Sequence, residues 1–387
     1  MNQFSLNWTF ESLSWWHIDL AVGGIAVLFG ALLTLFCRKI ARRVGFVDHP
    51  HVERHKRHHR PMPVLGGPAL FLTVAVTIGI GLFVAGAGDT SGLPGIINSG
   101  IIDGIQSRLR DLIWIGAAAL TLVVMGMVDD RVSLPALVKF TVQALVCGLL
   151  AINPTIRVIL FIENPFVNWM LTTFWLLLIL NAINFLDNMD GLAAGIAVIA
   201  SLFFAIVGSV RDQYFVTLLS TVVCGASCGF LIFNRPPATI FMGDSGSQFL
   251  GLMLGLLGAM TTYYVPDKTP TTAPVLIPLL ILAIPIFDLA TVVFIRTRLG
   301  RPFYVGDNRH ISHRFEKMGM GRPVSVLLVL LLVFASGSGA LTLIWLDRMG
   351  AALIFAQMFA LLAVVSIIQF YGRSSSLFTS SAGKHRS

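Results

Sequence analysis

The chain has 387 residues, 56% of them hydrophobic and only 12% charged, with a net charge of +8. A water-soluble domain carries about 25% charged residues, so a soluble globule, a disordered chain and a disulfide scaffold are all excluded. Four cysteines, Cys37, Cys147, Cys224 and Cys228, fall inside apolar stretches and read as small buried side chains, without the further ligands a zinc site needs.

A bilayer core about 30 Å thick takes roughly 20 apolar residues of helix. Windows of that kind centre on residues 18–37, 66–86, 112–128, 134–152, 168–186, 190–210, 214–233, 247–264, 273–294, 324–346 and 350–371. The sequence therefore predicts an all-α, polytopic integral membrane protein of about eleven transmembrane helices. The first span runs into Cys37-Arg38-Lys39 with no small-residue cleavage site, so it is read as retained. Residues 1–372 are read as one transmembrane domain without internal repeats. The Ser-rich stretch 373–387 is read as a disordered tail.

Alternate loops, near 38–65, 129–133, 187–190, 234–246 and 295–323, share one side with the tail. That side holds 20 of the 27 Lys and Arg residues, the opposite side 6, and Lys139 lies within a span. The bias orients the chain with its amino terminus outside and its carboxyl terminus in the cytoplasm. It also places the basic surplus near lipid and argues against nucleic acid as the partner.

The polar motifs gather on that same side. Asp129 and Asp130 close the third span, where a helix carboxyl end is already negative; a metal or Arg131 should relieve them, and their differing directions imply different roles. Asn184, Asp187 and Asp190 recur at a spacing of three at the end of the fifth span. Polar groups so near hydrocarbon face a partner, a cavity or a substrate, and one amide with two carboxylates suits magnesium and phosphate oxygens.

Phe241-Met242-Gly243-Asp244-Ser245-Gly246-Ser247 precedes the eighth span. Asp244 reads equally as a helix N-cap or as part of an anion-binding helix start. His55 to Arg60, including Lys56, is cationic, as the positive-inside rule also explains. His310-Ile311-Ser312-His313-Arg314 offers two histidines without an evident third metal ligand, and fits contact with an anionic substrate better. Lys139 needs a phosphate or carboxylate beside it. Carboxylates for a divalent cation beside cationic groups suit phosphoryl transfer.

In these motifs, and over nearly its whole length, the chain resembles the polyprenyl-phosphate N-acetylhexosamine-1-phosphate transferases of glycosyltransferase family 4 type. It looks most like the bacterial branch moving N-acetylglucosamine 1-phosphate. Lys56-Arg57-His58 with Pro63-Val64-Leu65-Gly66-Gly67, Asn181 to Gly191 and Phe241 to Ser247 carry the resemblance. It implies transfer from a UDP-N-acetylhexosamine to undecaprenyl phosphate with release of UMP. It further implies Mg²⁺ as cofactor, with Mn²⁺ as a substitute, a place in the bacterial inner membrane with the site facing the cytoplasm, and a homodimer as one open assembly.

By the same resemblance Asp244 would be the principal magnesium ligand and Asn184 a second. Asp129 or Asp130 would deprotonate or position the lipid phosphate, and Asp187 and Asp190 would organise the metal and nucleotide pocket. Asn234, seven residues before Phe241, would help hold the uridine. Lys56, Lys139, His310, His313 and Arg314 would contact phosphates or the sugar.

Two departures stand out: many relatives have Gly where this chain has Asn188, and many have a histidine in place of Ser312. Ser312-His313-Arg314 before Phe315-Glu316 argues against the related phospho-MurNAc-pentapeptide transferases, whose three consecutive histidines are missing. A secondary transporter is the rival of another class. It would place its carboxylates near the bilayer midplane and show repeated halves.

Overall fold

The computed structural model describes residues 10–48, 61–86, 107–158, 161–266, 269–300 and 309–382. Among them the chain is almost wholly helical. We number the helices α1 (Phe10–Arg43), α2 (Gly66–Gly86), α3 (Leu109–Val132), α4 (Ala136–Leu150), α5 (Pro165–Leu186), α6 (Leu192–Val210) and α7 (Tyr214–Asn234). There follow α8 (Gly243–Met260), α9 (Ile277–Ile281), α10 (Ala283–Arg298), α11 (Ile311–Lys317), α12 (Arg322–Thr342) and α13 (Arg348–Ala382). The short strands β1 (Val47–Asp48) and β2 (Met62–Pro63) pair antiparallel, Val47 with Pro63 and Asp48 with Met62.

A helix crosses each of the eleven windows, but they are not eleven equivalent spans. Among the described residues eight helices are long and apolar enough to cross a membrane, or nine if the bent pair is one span. That pair covers Ala273–Ile281 and Ala283–Arg298 and bends by 66°. α4 has only 15 residues. α8 opens Gly243-Asp244-Ser245-Gly246-Ser247-Gln248, too polar to qualify as a lipid-facing span. The chain is thus a multi-pass, all-α membrane protein. The last helix continues to Ala382, so positions 373–382, where the composition suggests a disordered tail, are helical.

The polarity of α8 follows from its place. Every residue from Ser245 to Ala259 is buried, because α2, α3, α5, α6 and α7 surround it. A helix that meets protein on all sides needs packing more than hydrophobicity against lipid. Small residues supply the packing: a Cβ on Gly126 of α3 or on Gly67 of α2 would overlap the Ser245 backbone or hydroxyl. A side-chain clamp adds to it, with Trp175 Nε1 donating to the Gly255 carbonyl at 2.8 Å, while Trp169 Nε1 ties α5 to α4 through the Gly148 carbonyl at 2.9 Å.

The connections explain their own motifs. α5 begins with Asn164, whose side chain accepts from the Phe166 and Val167 amides, and with Pro165 in the first turn. α7 stops at Asn234 because Pro236 and Pro237 follow and cannot continue the ladder. The run Pro63 to Gly67 lies against the strand-like stretch before α8. Phe241 N donates to the Pro63 carbonyl at 2.8 Å, Gly66 N to the Phe241 carbonyl at 3.2 Å, and Gly67 N to the Met242 carbonyl at 3.1 Å.

Replacing Gly126 by Leu should lower the melting temperature of the detergent-solubilised protein by about 1–4 °C, since forcing extra methylenes into a closed contact typically costs about 1–3 kcal/mol. Gly116→Ala on the same helix, where a Cβ meets nothing within 4 Å, should leave it unchanged or slightly raised. Equal melting temperatures for the two variants would mean that α3 and α8 are not in close contact.

Candidate active site

One end of the bundle collects the carboxyl ends of α3, α5 and α7, the amino end of α8, and α11. The strongest link joins the first two motifs. Asp130, the last acidic residue of α3, accepts from Asp244 N through Oδ1 at 2.8 Å, and through Oδ2 from Ser245 Oγ at 3.1 Å and Ser245 N at 3.4 Å. α8 therefore takes its cap from another helix; Asp244 stands in its first turn rather than at the N-cap position, which Met242 occupies without a side-chain cap. The arrangement answers the electrostatics at the end of α3, because the positive amide end of α8 faces the misplaced carboxylate.

Asp129 points elsewhere, as the 100° step between neighbours requires. Its Oδ1 accepts from Leu134 N at 2.7 Å and its Oδ2 from Lys139 Nζ at 2.8 Å. The Lys139 ammonium also reaches Asp244 Oδ2 at 3.5 Å, and the Asp129 and Asp244 carboxyl groups lie within hydrogen-bonding reach of each other. The intramembrane lysine is thus neutralised by carboxylates. Arg131 is turned away, with its guanidinium carbon 5.0 Å from the centre of the Phe46 ring.

Asn184 donates from Nδ2 to Ser247 Oγ at 2.9 Å, which leaves its carbonyl oxygen as the unused ligand atom. Asp187 ends α5. Burial, and then the negative charges of Asp130 and Asp190, push its carboxyl up to about 7. Asp190 accepts from Ala238 N at 3.0 Å. Asn234 is buried and its amide group is spent on the fold, accepting from Gly191 N at 3.0 Å and donating to the Ile240 carbonyl at 3.0 Å. It ties the 187–191 turn to the stretch before α8. Phe241 stands in that stretch, half-buried, its main chain paired with the Pro63 to Gly66 run.

The α11 segment approaches the same turn. His310 Nδ1 lies 2.7 Å from Asp288 Oδ2, and its ring meets Phe185 edge-on at 6.1 Å. Ser312 Oγ donates to Asn188 Oδ1 at 2.7 Å, so the two departures from the family pattern are partners. His313 faces Glu316 Oε2 at 3.3 Å, and burial holds its pKa below the ordinary value, so it is neutral at pH 7. Arg314 Nε donates to the Arg309 carbonyl at 2.7 Å. Lys56 lies outside the described residues.

One turn deeper along α4, α5 and α8 is a layer of amides. Asn181 Nδ2 donates to Gln143 Oε1 at 3.1 Å, and Gln143 Nε2 to Gln248 Oε1 at 3.3 Å. These residues are four from Lys139, three from Asn184 and four from Asp244, so they carry the catalytic-side residues on their own helix faces. Sequence reasoning missed this layer and Asp288. The available signal was a hydrogen-bonding side chain inside an otherwise apolar run.

Among the described residues no three His, Cys, Asp or Glu side chains converge as a complete metal cage. Magnesium does not require one, since it keeps several waters and binds through one or two carboxylates plus substrate phosphates. Asp244, whose side chain is 36% exposed, and the open Asn184 carbonyl oxygen fit such a half-site. Among the described residues five acidic side chains gather there with one lysine, which also favours a cation.

Residues 112–262, which contain every one of these acidic positions, match the model of glycosyl transferase family 4. The chain is 32% identical over 336 residues to the probable undecaprenyl-phosphate N-acetylglucosaminyl 1-phosphate transferase of Bacillus subtilis, covering 84% of this chain and 85% of that protein. It is 29% identical over 384 residues to the decaprenyl-phosphate N-acetylglucosaminephosphotransferase of Mycolicibacterium smegmatis, covering 92% and 89% of the two. With the undecaprenyl-phosphate alpha-N-acetylglucosaminyl 1-phosphate transferase of Escherichia coli (strain K12) it shares 26% over 331 residues, 81% of each chain. Likeness sustained across the bundle, and not only at its acidic end, makes this chain a member of glycosyl transferase family 4.

Proposed function

We propose that the protein transfers N-acetylglucosamine 1-phosphate from UDP-N-acetylglucosamine to a polyprenyl phosphate, undecaprenyl phosphate in the first instance, at the cytoplasmic face of the bacterial inner membrane. An oxygen of the lipid phosphate attacks the β-phosphorus of the donor. The new P–O bond makes a lipid-linked pyrophosphoryl sugar, the bond to the bridging oxygen breaks, and UMP leaves. This is the class of step that begins cell-surface polysaccharide assembly. The relatives named above carry out the reaction their names state on polyprenyl phosphates. The observation that carries the reading is the Asp129–Lys139–Asp244 cluster beside Asn184, at one end of a membrane bundle.

Each group has a task in this reading. Asp244 and Asn184 would hold Mg²⁺, with Mn²⁺ as a substitute, and the cation would neutralise pyrophosphate charge and improve the leaving group. Lys139, shared between two carboxylates, is a cation placed to meet a phosphate oxygen. The second pKa of a phosphate monoester is near 6, so the lipid phosphate is already largely ionised and needs no strong base. Asp129 and Asp130, with all four oxygens engaged, serve by holding Lys139 and the start of α8. Asp187 and Asp190 shape the turn against which the nucleotide lies, and Asn234 braces that turn. Phe241, His310, His313 and Arg314 border the donor's side of the site.

Purified protein given UDP-GlcNAc, undecaprenyl phosphate and Mg²⁺, with no ion gradient, should release UMP in equal amount to the lipid product. UDP-GalNAc and UDP-MurNAc-pentapeptide should give much less. UMP formation only with the peptide donor, or none with any donor, would sink the assignment. Asp244→Asn should cut turnover on the order of 100-fold or more at saturating Mg²⁺, the scale of losing one preorganised electrostatic contact. Near-normal turnover in that variant would remove Asp244 as the metal ligand.

A further inference from the structure

Asp288 is the one carboxylate buried in the α10 span, 2% exposed among the described residues, and the reaction as outlined does not use it. It sits six residues beyond Leu282, where the chain bends by 66°. Both of its oxygens are engaged with the start of α11. Oδ1 accepts from Ile311 N at 2.6 Å and Oδ2 faces His310 Nδ1 at 2.7 Å. An ionised carboxylate can only accept hydrogen bonds, so both facing groups must be donors. The Ile311 amide is a donor in any case. The second contact then requires the proton of His310 to be on Nδ1.

The rest of His310 is held as tightly. The residue is 4% exposed, and its ring stands edge-on to Phe185, two positions before Asp187. Arg296, also buried, lies with its guanidinium carbon 5.5 Å from the centre of that Phe185 ring. Two residues along α11, Ser312 Oγ is tied to Asn188 Oδ1. The first turn of α11 is therefore pinned to the turn between α5 and α6 at two points. Nε2 remains as the ring nitrogen not engaged by Asp288.

We propose that Asp288 is a positioning residue of the transfer reaction: it caps α11 and fixes His310 with its proton on Nδ1, so that Nε2 is presented as an acceptor to a hydroxyl or amide N–H of the sugar donor. The assignment rests on the proposed transferase function. A second-layer carboxylate that sets a histidine's tautomer and ring orientation is a general device, and losing such a partner costs about 10- to 100-fold in function where it has been removed from metal-bound histidines. Asparagine is the informative replacement. It offers one acceptor and one donor, so if it keeps the Ile311 cap it must donate to Nδ1 and force the proton onto Nε2.

The test uses full-length protein in detergent with UDP-GlcNAc and undecaprenyl phosphate. Asp288→Asn should retain the wild-type elution profile and melting temperature within a few degrees and lose about 10- to 100-fold in kcat/KM for the donor. KM for the lipid should be little changed. In a His310→Gln background the same substitution should cost little more, because the two act as a unit. Full activity of Asp288→Asn, or an equal loss with and without the imidazole, would overturn the proposal. If Asp288→Asn does not fold, ¹⁵N spectra of histidine-labelled wild-type protein decide the matter, the His310 signals being assigned from their absence in His310→Gln. A protonated Nδ1 supports the assignment and an unprotonated Nδ1 refutes it. Absence of activity in the wild type is a different result, since it would count against the transferase reading, while the spectra would still report on the Asp288–His310 pair.

Discussion

The end of α3 meets the start of α8 through one carboxylate, and the site is built outward from that meeting. Asp130 satisfies two amide donors and a hydroxyl that the first turn of α8 would otherwise leave open inside the bundle. Because the contact is between main chain and side chain, it fixes where Asp244 begins its turn and hence where its carboxylate stands. Close approach of the helices is the condition for it. Gly126 and Gly67 provide that approach, and any side chain at either would push α8 away from its cap.

A second consequence is the division of labour between adjacent aspartates. Asp130 is structural toward α8, while Asp129 reaches across the α3–α4 turn to Lys139 and the Leu134 amide. The lysine is then shared with Asp244 from a third helix. Three helices are thus coupled through charged side chains, and beneath them the amides of Gln143, Asn181 and Gln248 couple α4 and α8 again, this time by way of α5. Groups of this kind are costly near lipid, and here almost all are answered by another side chain or an amide.

Much of this was legible in the sequence, for identifiable reasons. Hydropathy locates every helix except the short α11, and the basic bias and motif positions point to one busy end. The difference between Asp129 and Asp130 follows from the helical step alone. What could not be read is whatever depends on which helix neighbours which. The polar opening of α8 looks like a weak span until its complete burial is seen. Asn234 looks like a ligand-binding amide, yet its hydrogen bonds brace two loops. Asp288 and His310 are 22 residues apart and meet only in the folded chain. Asn188 and Ser312, 124 positions apart, read as separate oddities until their hydrogen bond joins them.

α4 carries Lys139 on a helix of 15 residues, about 22 Å long at 1.5 Å per residue. Its outer face, with Leu137, Phe140, Leu145 and Leu149, is exposed and apolar, so it meets lipid directly. A bilayer core is about 30 Å thick, and a helix shorter than that is accommodated by thinning of the bilayer, by snorkelling of flanking side chains or by oligomerisation. Where the bilayer thins beside α4, lipid head groups stand closer to the level of Lys139.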